Sequence, residues 1–275
     1  MVNLLRALCR WGGNPVWSWI CVLLYSVAVA IVPLLFSCAK ARGAMFASYF
    51  ENPLIAAMNI IPVVLIGGML YLVFNRAWVS GLITGALCLA LGFVNYFKVL
   101  FRNEPLNFED LMVFKEALNM TGRGYTLFLE QGMLACILLV ALGSLFLFLF
   151  ASGKNPAPFR LIFLALFLVG WQVYMHYCAD WYVYHEKTSN VTYINQWSEN
   201  EVYYSKGLVY PFLYSYTVYG MPAPEGYRED RARQWLAEYT AGEIPADRQV
   251  DVICIMLEAY SDFEELGVEG ISETV

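Results

Sequence analysis

Long runs of apolar residues without Asp, Glu, Lys or Arg dominate the first two thirds of the chain. A helix needs about 20 such residues to cross the ~30 Å hydrocarbon core of a bilayer. Five runs have this length or come close to it: Trp17–Phe36, Leu54–Phe74, Ala77–Phe97, Gly132–Ala151 and Leu161–Cys178. Because backbone polar groups in lipid must be satisfied within their own segment, we expect five transmembrane helices forming an all-α membrane domain over residues 1–178.

The connection between the third and fourth runs is long and amphipathic. Asn107 followed by Asp110 resembles a helix N-cap with an acid at the third helical position. From there Phe108 and Leu111 fall on one side of a helix. The pattern predicts a short helix over residues 107–119 lying at the membrane interface. An ordinary amphipathic connector would show the same pattern.

The segment that follows the fifth run is rich in Tyr, Trp and Asn up to Tyr219. Aromatic residues concentrate at membrane interfaces. We therefore expect the run Tyr203–Tyr210, within a segment that we call the elbow (residues 181–219), to lie on the outer leaflet. Tyr227–Tyr239 predicts a polar helix with Trp235 and Leu236 facing a partner. Residues 179–248 are therefore interpreted as an extracytoplasmic linker.

A few small or polar residues inside the apolar runs predict close packing. Gly81 and Gly85 form a G-x-x-x-G pair, which lets helices approach closely. Asn59 and Pro62 indicate a local kink with packing partners. The seven Cys are scattered without a C-x-x-C pair, so they are interpreted as small buried residues rather than a disulfide framework or a zinc site.

Charge separates the membrane part from an acidic tail. Residues 1–178 hold 11 Lys+Arg and 6 Asp+Glu, whereas residues 179–275 hold 6 and 17, which agrees with the net charge of −6. The short loops on the N-terminal side contain cations and no acids, which favours a cytoplasmic N-terminus and an extracytoplasmic C-terminus. The raw Lys/Arg count on the two sides, five against six, does not decide the orientation. The tail lacks the basic face that nucleic acid binding requires.

A strand typical of an α/β sheet comes near the end of the chain. Residues 249–258 read QVDVICIMLE, a nearly continuous β-prone run that ends in Glu258. Ligands of open α/β sheets bind just beyond the carboxyl ends of the strands. Glu258 is thus a candidate metal ligand, and a cap for a following helix is an equally good interpretation of its position.

Asp251–Phe263, with its Leu257-Glu258-Ala259, resembles the first strand of the sulfatase-like, alkaline-phosphatase-type catalytic domain. It is most similar to the lipoteichoic acid synthase and phosphoglycerol transferase family of bacterial cell membranes. Five spans before an extracytoplasmic domain are also typical of that family. The segment Phe101–Leu111 resembles the family's loop between spans three and four, and Asn200–Phe212 resembles its aromatic elbow after the membrane.

The resemblance implies a reaction and its participants. A threonine activated by a divalent metal (Mn, Mg or Zn) attacks phosphatidylglycerol, diacylglycerol leaves, and a polyol or glycan acceptor takes the phosphoglycerol. Of the family's metal ligands only the early Glu is matched, as Glu258. Thr274 stands in the wrong context for the nucleophile, so the chain is expected to be a part of a longer enzyme and inactive alone, with residues 249–275 starting the catalytic domain.

Arg102 is the candidate for contact with the lipid phosphate, because a guanidinium suits phosphate; an ordinary ion-pair role is the alternative. Two other functions stay open. A phosphoethanolamine transferase has similar spans but usually a Gly before the strand-end Glu, where this chain has Leu257. A non-enzymatic scaffold or transporter subunit is the other, although transporters usually carry ionisable groups within their spans.

Overall fold

The computed structural model describes residues 12–38, 42–112, 130–191, 194–219 and 226–238. The chain divides into two compact units, Met1–Met221 and Pro222–Val275. The aromatic elbow up to residue 219 therefore belongs to the same unit as the long helices. The described residues of both units contain helices and connecting segments but no strand.

The first unit is built from helices of two lengths. The long ones are α1 (Pro15–Leu35), α3 (Pro53–Phe74), α4 (Ala77–Arg102), α5 (Gln131–Phe150) and α6 (Ala157–Cys178). The short ones are α2 (Arg42–Glu51), α7 (Glu199–Tyr204) and α8 (Val209–Val218), together with a 3₁₀ turn at Phe108–Leu111 and a π-helical turn at Val183–Lys187.

The five long helices are long and apolar enough to cross a membrane, so the prediction of a multi-pass membrane protein is confirmed. Two of them begin with the same local signal. The side chains of Asn14 and Asn52 accept hydrogen bonds from the first turns of α1 and α3, and Pro15 and Pro53 occupy the first helical position. Proline suits this position because its missing N–H would be unpaired there anyway.

Helix α4 extends further than the apolar run Ala77–Phe97 predicted. It continues to Arg102 and ends at Asn103, whose backbone is left-handed with φ of 55°. The uncharged run stops at Lys98, but a charged residue does not end a helix whose last turn lies outside the hydrocarbon. At roughly 1.5 Å per residue, the 26 residues of α4 span about 39 Å.

Small residues allow the close packing of α4 that the G-x-x-x-G pair predicted. A Cβ added to Gly81 would lie 2.4 Å from Leu147 of α5, and one added to Gly85 would lie 2.6 Å from both Val140 of α5 and the hydroxyl of Tyr25 in α1. The prediction of close helix approach is confirmed. The five described cysteines are buried, as expected for small apolar residues.

Hydrogen bonds show which connections share an end of the bundle. Ser152 donates its N–H to the Gly12 carbonyl at 2.8 Å, and Asn155 donates its N–H to the Asn75 side chain at 2.8 Å. Residues 12–14, 75–76 and 151–156 therefore lie together. The opposite end, which we call the elbow end, holds residues 36–38, α2, residues 103–112 and residues 179–191 and 194–219.

Helix α2, which was not predicted from the sequence, packs at the elbow end. Its Tyr49 is fully buried and bonds the Ser37 hydroxyl at 2.6 Å and the Tyr204 carbonyl at 2.7 Å. Met45, one turn earlier, is also buried. The two residues at a four-residue spacing were the available signal, but ten residues are too short for a convincing helical period.

The second unit is described only around α9 (Glu229–Glu238). The predicted polar helix is present with shorter bounds, and an ion pair between Arg233 and Glu229 spans one turn at 2.6 Å. Trp235 and Leu236 are exposed there. The predicted strand at 249–258 lies outside the described residues.

Candidate functional site at the elbow end

Asn59 of α3 attaches the elbow to the helix bundle. Its Nδ2 donates to the carbonyls of Ile55 and Lys206, both at 2.8 Å. Its Oδ1 accepts from the backbone N–H groups of Leu208 at 3.1 Å and Tyr210 at 3.2 Å. The prediction that this polar residue in an apolar run has a packing partner is confirmed, and the partner is the backbone of the elbow.

Gly207 makes this attachment geometrically possible. Its φ is +94°, a region that L side chains rarely adopt, and an added Cβ would lie 2.5 Å from the Asn59 amide nitrogen and oxygen. Leu208 and Tyr210 beside it are fully buried. The backbone of this part of the elbow therefore inserts into the end of the bundle, a contact that the expectation of a segment lying on the outer leaflet did not include.

Lys206 is buried in the elbow, at 2% exposure. Its Nζ donates to the Thr188 carbonyl at 2.9 Å and lies 4.9 Å from the centre of the Tyr184 ring. No carboxylate among the described residues forms an ion pair with it. Burial without a counter-charge disfavours the ammonium form and lowers the pKa of Lys206 to about 8.

A second buried asparagine, Asn95 of α4, holds the loop after that helix. Its Nδ2 donates to the carbonyls of Phe36 and Ser37 at 2.8 and 3.0 Å, and its Oδ1 accepts from the Leu106 N–H at 2.9 Å. Asn59 and Asn95 thus both bind the backbone of another segment to a long helix, Asn59 the elbow and Asn95 the loop after α4. A single Asn at the end of an apolar run carries too little information for this role to be predicted.

The loop is closed by an ion pair that returns it to α4. Both Asp110 oxygens accept from Lys98 Nζ at 2.8 Å, and the same ammonium donates to the Pro105 carbonyl at 2.9 Å. Asp110 also accepts the Asn107 N–H at 2.7 Å. The predicted acid three residues after the N-cap is confirmed, and the ion pair fixes the start of the 3₁₀ turn.

The loop and the elbow contact each other directly. The Tyr203 hydroxyl donates to the Leu106 carbonyl at 2.5 Å, and the Phe108 N–H donates to Ser215 Oγ at 2.9 Å. The Phe108 ring meets the Tyr216 ring edge to face at 4.8 Å. Burial raises the pKa of Tyr203 well above its usual value, so its hydroxyl remains a donor.

These contacts change the interpretation of the predicted interfacial helix over residues 107–119. Its first apolar residue, Phe108, packs against α8 of the elbow, whereas Leu111 and Met112 are 51% and 59% exposed. The structure shows a 3₁₀ turn of four residues at Phe108–Leu111. Residues 113–119 lie outside the described part of the chain.

Arg102 lines a cavity of about 390 Å³ at the end of α4. Helix α7 is held beside it, because Asn200 Nδ2 donates to the Asn103 carbonyl at 3.0 Å. The cavity wall comes from the segment that follows α1, the end of α4 and the end of α7. Its lining residues are Cys38, Val99, Leu100, Phe101, Arg102, Asn103 and Tyr204.

The Arg102 guanidinium is exposed and has neither a hydrogen bond nor an ion pair within the described ranges. Two acids, Glu104 two residues later in the chain and Glu201 in α7, bind elsewhere. Glu104 lies 3.8 Å from Lys98, which Asp110 also binds, and Glu201 accepts the Asn195 N–H at 2.6 Å. The alternative of Arg102 as an ion-pair residue gains no support from these contacts.

The metal prediction lies beyond what the structure describes. Glu258, Thr274 and the rest of residues 239–275 are outside the described ranges. Within those ranges no three His, Cys, Asp or Glu residues are placed to hold a metal ion. A divalent metal at Glu258 therefore stays a prediction from the sequence.

No protein-family model, curated protein sequence or solved structure matches the chain.

Proposed function

We propose that the protein is a membrane-bound phosphoglycerol transferase that takes phosphoglycerol from phosphatidylglycerol and passes it to a polyol or glycan of the cell envelope. The proposal rests on the resemblance of Asp251–Phe263 to the first strand of the sulfatase-like catalytic domain. The five membrane-length helices agree with such a protein, since its donor is a lipid.

The observation that supports the proposal best is the contact between the loop and the elbow. Phe101–Leu111 and Asn200–Phe212 are the two segments, outside the strand, that resemble the transferase family. They are about a hundred residues apart in the chain, yet the Tyr203–Leu106 hydrogen bond joins them at the same end of the bundle. Two segments that resemble one family and contact each other support a shared role in the membrane part of such an enzyme.

Glu258 is the residue of this chain to which we assign chemistry. A carboxylate at the end of a buried strand is a suitable ligand for a divalent cation, and a cation offsets the cost of burying its charge. The metal, when bound, would lower the pKa of the attacking hydroxyl and neutralise charge that develops on the phosphate.

The test is lipid turnover by the full-length protein in mixed micelles. Fluorescent phosphatidylglycerol should be converted to fluorescent diacylglycerol in the presence of Mn²⁺ or Mg²⁺. We expect Glu258→Gln, which keeps the shape and loses the charge, to lower turnover by a factor of roughly 100 or more. Glu264→Gln, a nearby acid to which the resemblance assigns no role, is the matched control and should keep near-normal turnover.

Other donors separate the remaining possibilities. Turnover of phosphatidylethanolamine with none of phosphatidylglycerol would replace the proposal with a phosphoethanolamine transferase. If the folded protein turned over neither lipid, the remaining interpretation would be a non-enzymatic scaffold or transporter subunit. A Glu258→Gln variant that turns over phosphatidylglycerol as fast as the Glu264→Gln variant would remove Glu258 from the metal site.

A further inference from the structure

The length of α4 places Arg102 at the level of lipid headgroups. The helix runs about 39 Å at roughly 1.5 Å per residue, with Arg76 immediately before it and Arg102 as its last residue. The hydrocarbon core is only ~30 Å thick. Since both charges avoid hydrocarbon, one arginine lies in each interfacial region.

The cavity beside Arg102 combines an apolar wall with a polar end. Val99 and Leu100 line it on the side that continues into the span, and Arg102 and Asn103 line it where the helix stops. Tyr204 of α7 and Cys38 also line the cavity. A volume of about 390 Å³ falls in the range of small-molecule sites, roughly 300–1,000 Å³. This distribution matches a phospholipid, whose charged phosphate lies directly above its acyl chains.

Charge selects an anionic headgroup. Arg102 has no acid partner among the described residues, while the Lys98 ammonium beside it is already bound by Asp110. A free guanidinium offers two parallel N–H donors to a phosphate. A zwitterionic headgroup would bring its own cation close to Arg102 and lose part of this attraction.

We infer that this cavity binds the phosphate of one anionic phospholipid, with Arg102 as its donor and Val99 and Leu100 along the start of an acyl chain. The site belongs to the helix bundle and needs no part of residues 239–275. The inference is therefore independent of the proposed transferase activity, and it holds for a lipid that is bound without being consumed.

The test counts bound lipid by native mass spectrometry of the full chain, purified in detergent and titrated with short-chain phosphatidylglycerol. We expect one phosphatidylglycerol molecule to stay bound to each protein molecule under conditions that remove phosphatidylcholine of equal acyl-chain length. Loss of a charge-assisted bond weakens binding by about tenfold or more, so Arg102→Gln should weaken phosphatidylglycerol retention by that factor. Arg76→Gln is the matched control, because Arg76 is an exposed arginine at the other end of the same helix.

Competition separates a lipid from a free anion. Millimolar inorganic phosphate should leave the bound phosphatidylglycerol in place, because the acyl chain contributes to affinity; displacement by phosphate would overturn the lipid assignment. Equal retention by Arg102→Gln and the unchanged protein would also overturn the inference, as would equal losses in Arg102→Gln and Arg76→Gln. Because Arg102 is exposed, its variant should keep the thermal stability of the unchanged protein, and this is measured on the same samples.

Discussion

Removal of the Asn59 side chain should release the elbow while leaving the long helices folded. In Asn59→Ala, the Lys206 carbonyl and the N–H groups of Leu208 and Tyr210 lose their partner. Asn59 is fully buried, so water does not replace these bonds unless the elbow moves. The elbow then opens because its exposed backbone finds water, whereas the helices keep their internal bonds.

The magnitude follows from the three backbone groups. Each buried group left without a partner costs about 1–3 kcal/mol, so the lower bound for the three is about 3 kcal/mol. At about 1.4 kcal/mol per factor of ten, this cost raises the population of the open elbow roughly 100-fold. A change of this size is readily measured, and it is concentrated in the backbone amides of Gly207 and the residues on either side.

Hydrogen–deuterium exchange in detergent is the assay. The amides of residues 205–212 should lose about two orders of magnitude of protection, and those of α4 and α5 should keep theirs. The matched control is Ser80→Ala, which removes one buried hydrogen bond to the Gly67 carbonyl (2.6 Å) inside the bundle and makes no contact with the elbow. Unchanged elbow protection in Asn59→Ala, or the same loss in Ser80→Ala, would refute the reasoning.

Three further predictions concern charge and topology. The folded-state pKa of Lys206 is lowered from 10.5 to about 8, so the unfolded chain binds more protons than the folded one between these pH values. The free energy of unfolding should therefore rise by about 1.4 kcal/mol per pH unit from about pH 8 towards pH 10. Denaturant titrations measure this rise, which should be absent in Lys206→Met. Asp110→Asn should lower the free energy of opening of residues 103–112 by about 1–3 kcal/mol, because the half-buried Lys98 ammonium loses counter-charge. Glu104→Gln should have little effect. Hydrogen exchange of the amides of residues 103–112 measures both variants, and equal effects would contradict the ion-pair assignment. A Cys in place of Trp197, which is 95% exposed, should react with an impermeant thiol reagent added outside whole cells. A Cys in place of Lys154 should not react. The opposite pattern would reverse the proposed orientation.

The sequence predicted the five spans because the bilayer imposes a length and an absence of charge that can be counted directly. Even the first residues of α1 and α3 carried a local signal, an Asn followed by Pro. Asp110 was likewise predictable, since its spacing from Asn107 is a local property of one turn. In each case the physical cause lies within a few consecutive residues.

Tertiary structure alone decided where the elbow lies. Its aromatic composition indicates an interface, but composition does not separate a segment resting on lipid from one inserted into a helix bundle, because both bury aromatic rings. The decision depends on Asn59 and Gly207, which are 148 positions apart and complement each other only in the folded chain. The burial of Lys206 follows from the same insertion and contradicts its intrinsic preference for water.

For Arg102, some properties could be predicted from the sequence and others depend on the tertiary structure. Its guanidinium, its place after an apolar run and its affinity for phosphate could all be inferred from the sequence. Its exposure beside a cavity could not, because the cavity forms only where α4, α7 and the segment after α1 meet. The absence of a described partner also depends on Asp110 binding Lys98. Local sequence determines which group is available, and long-range packing determines what that group can reach.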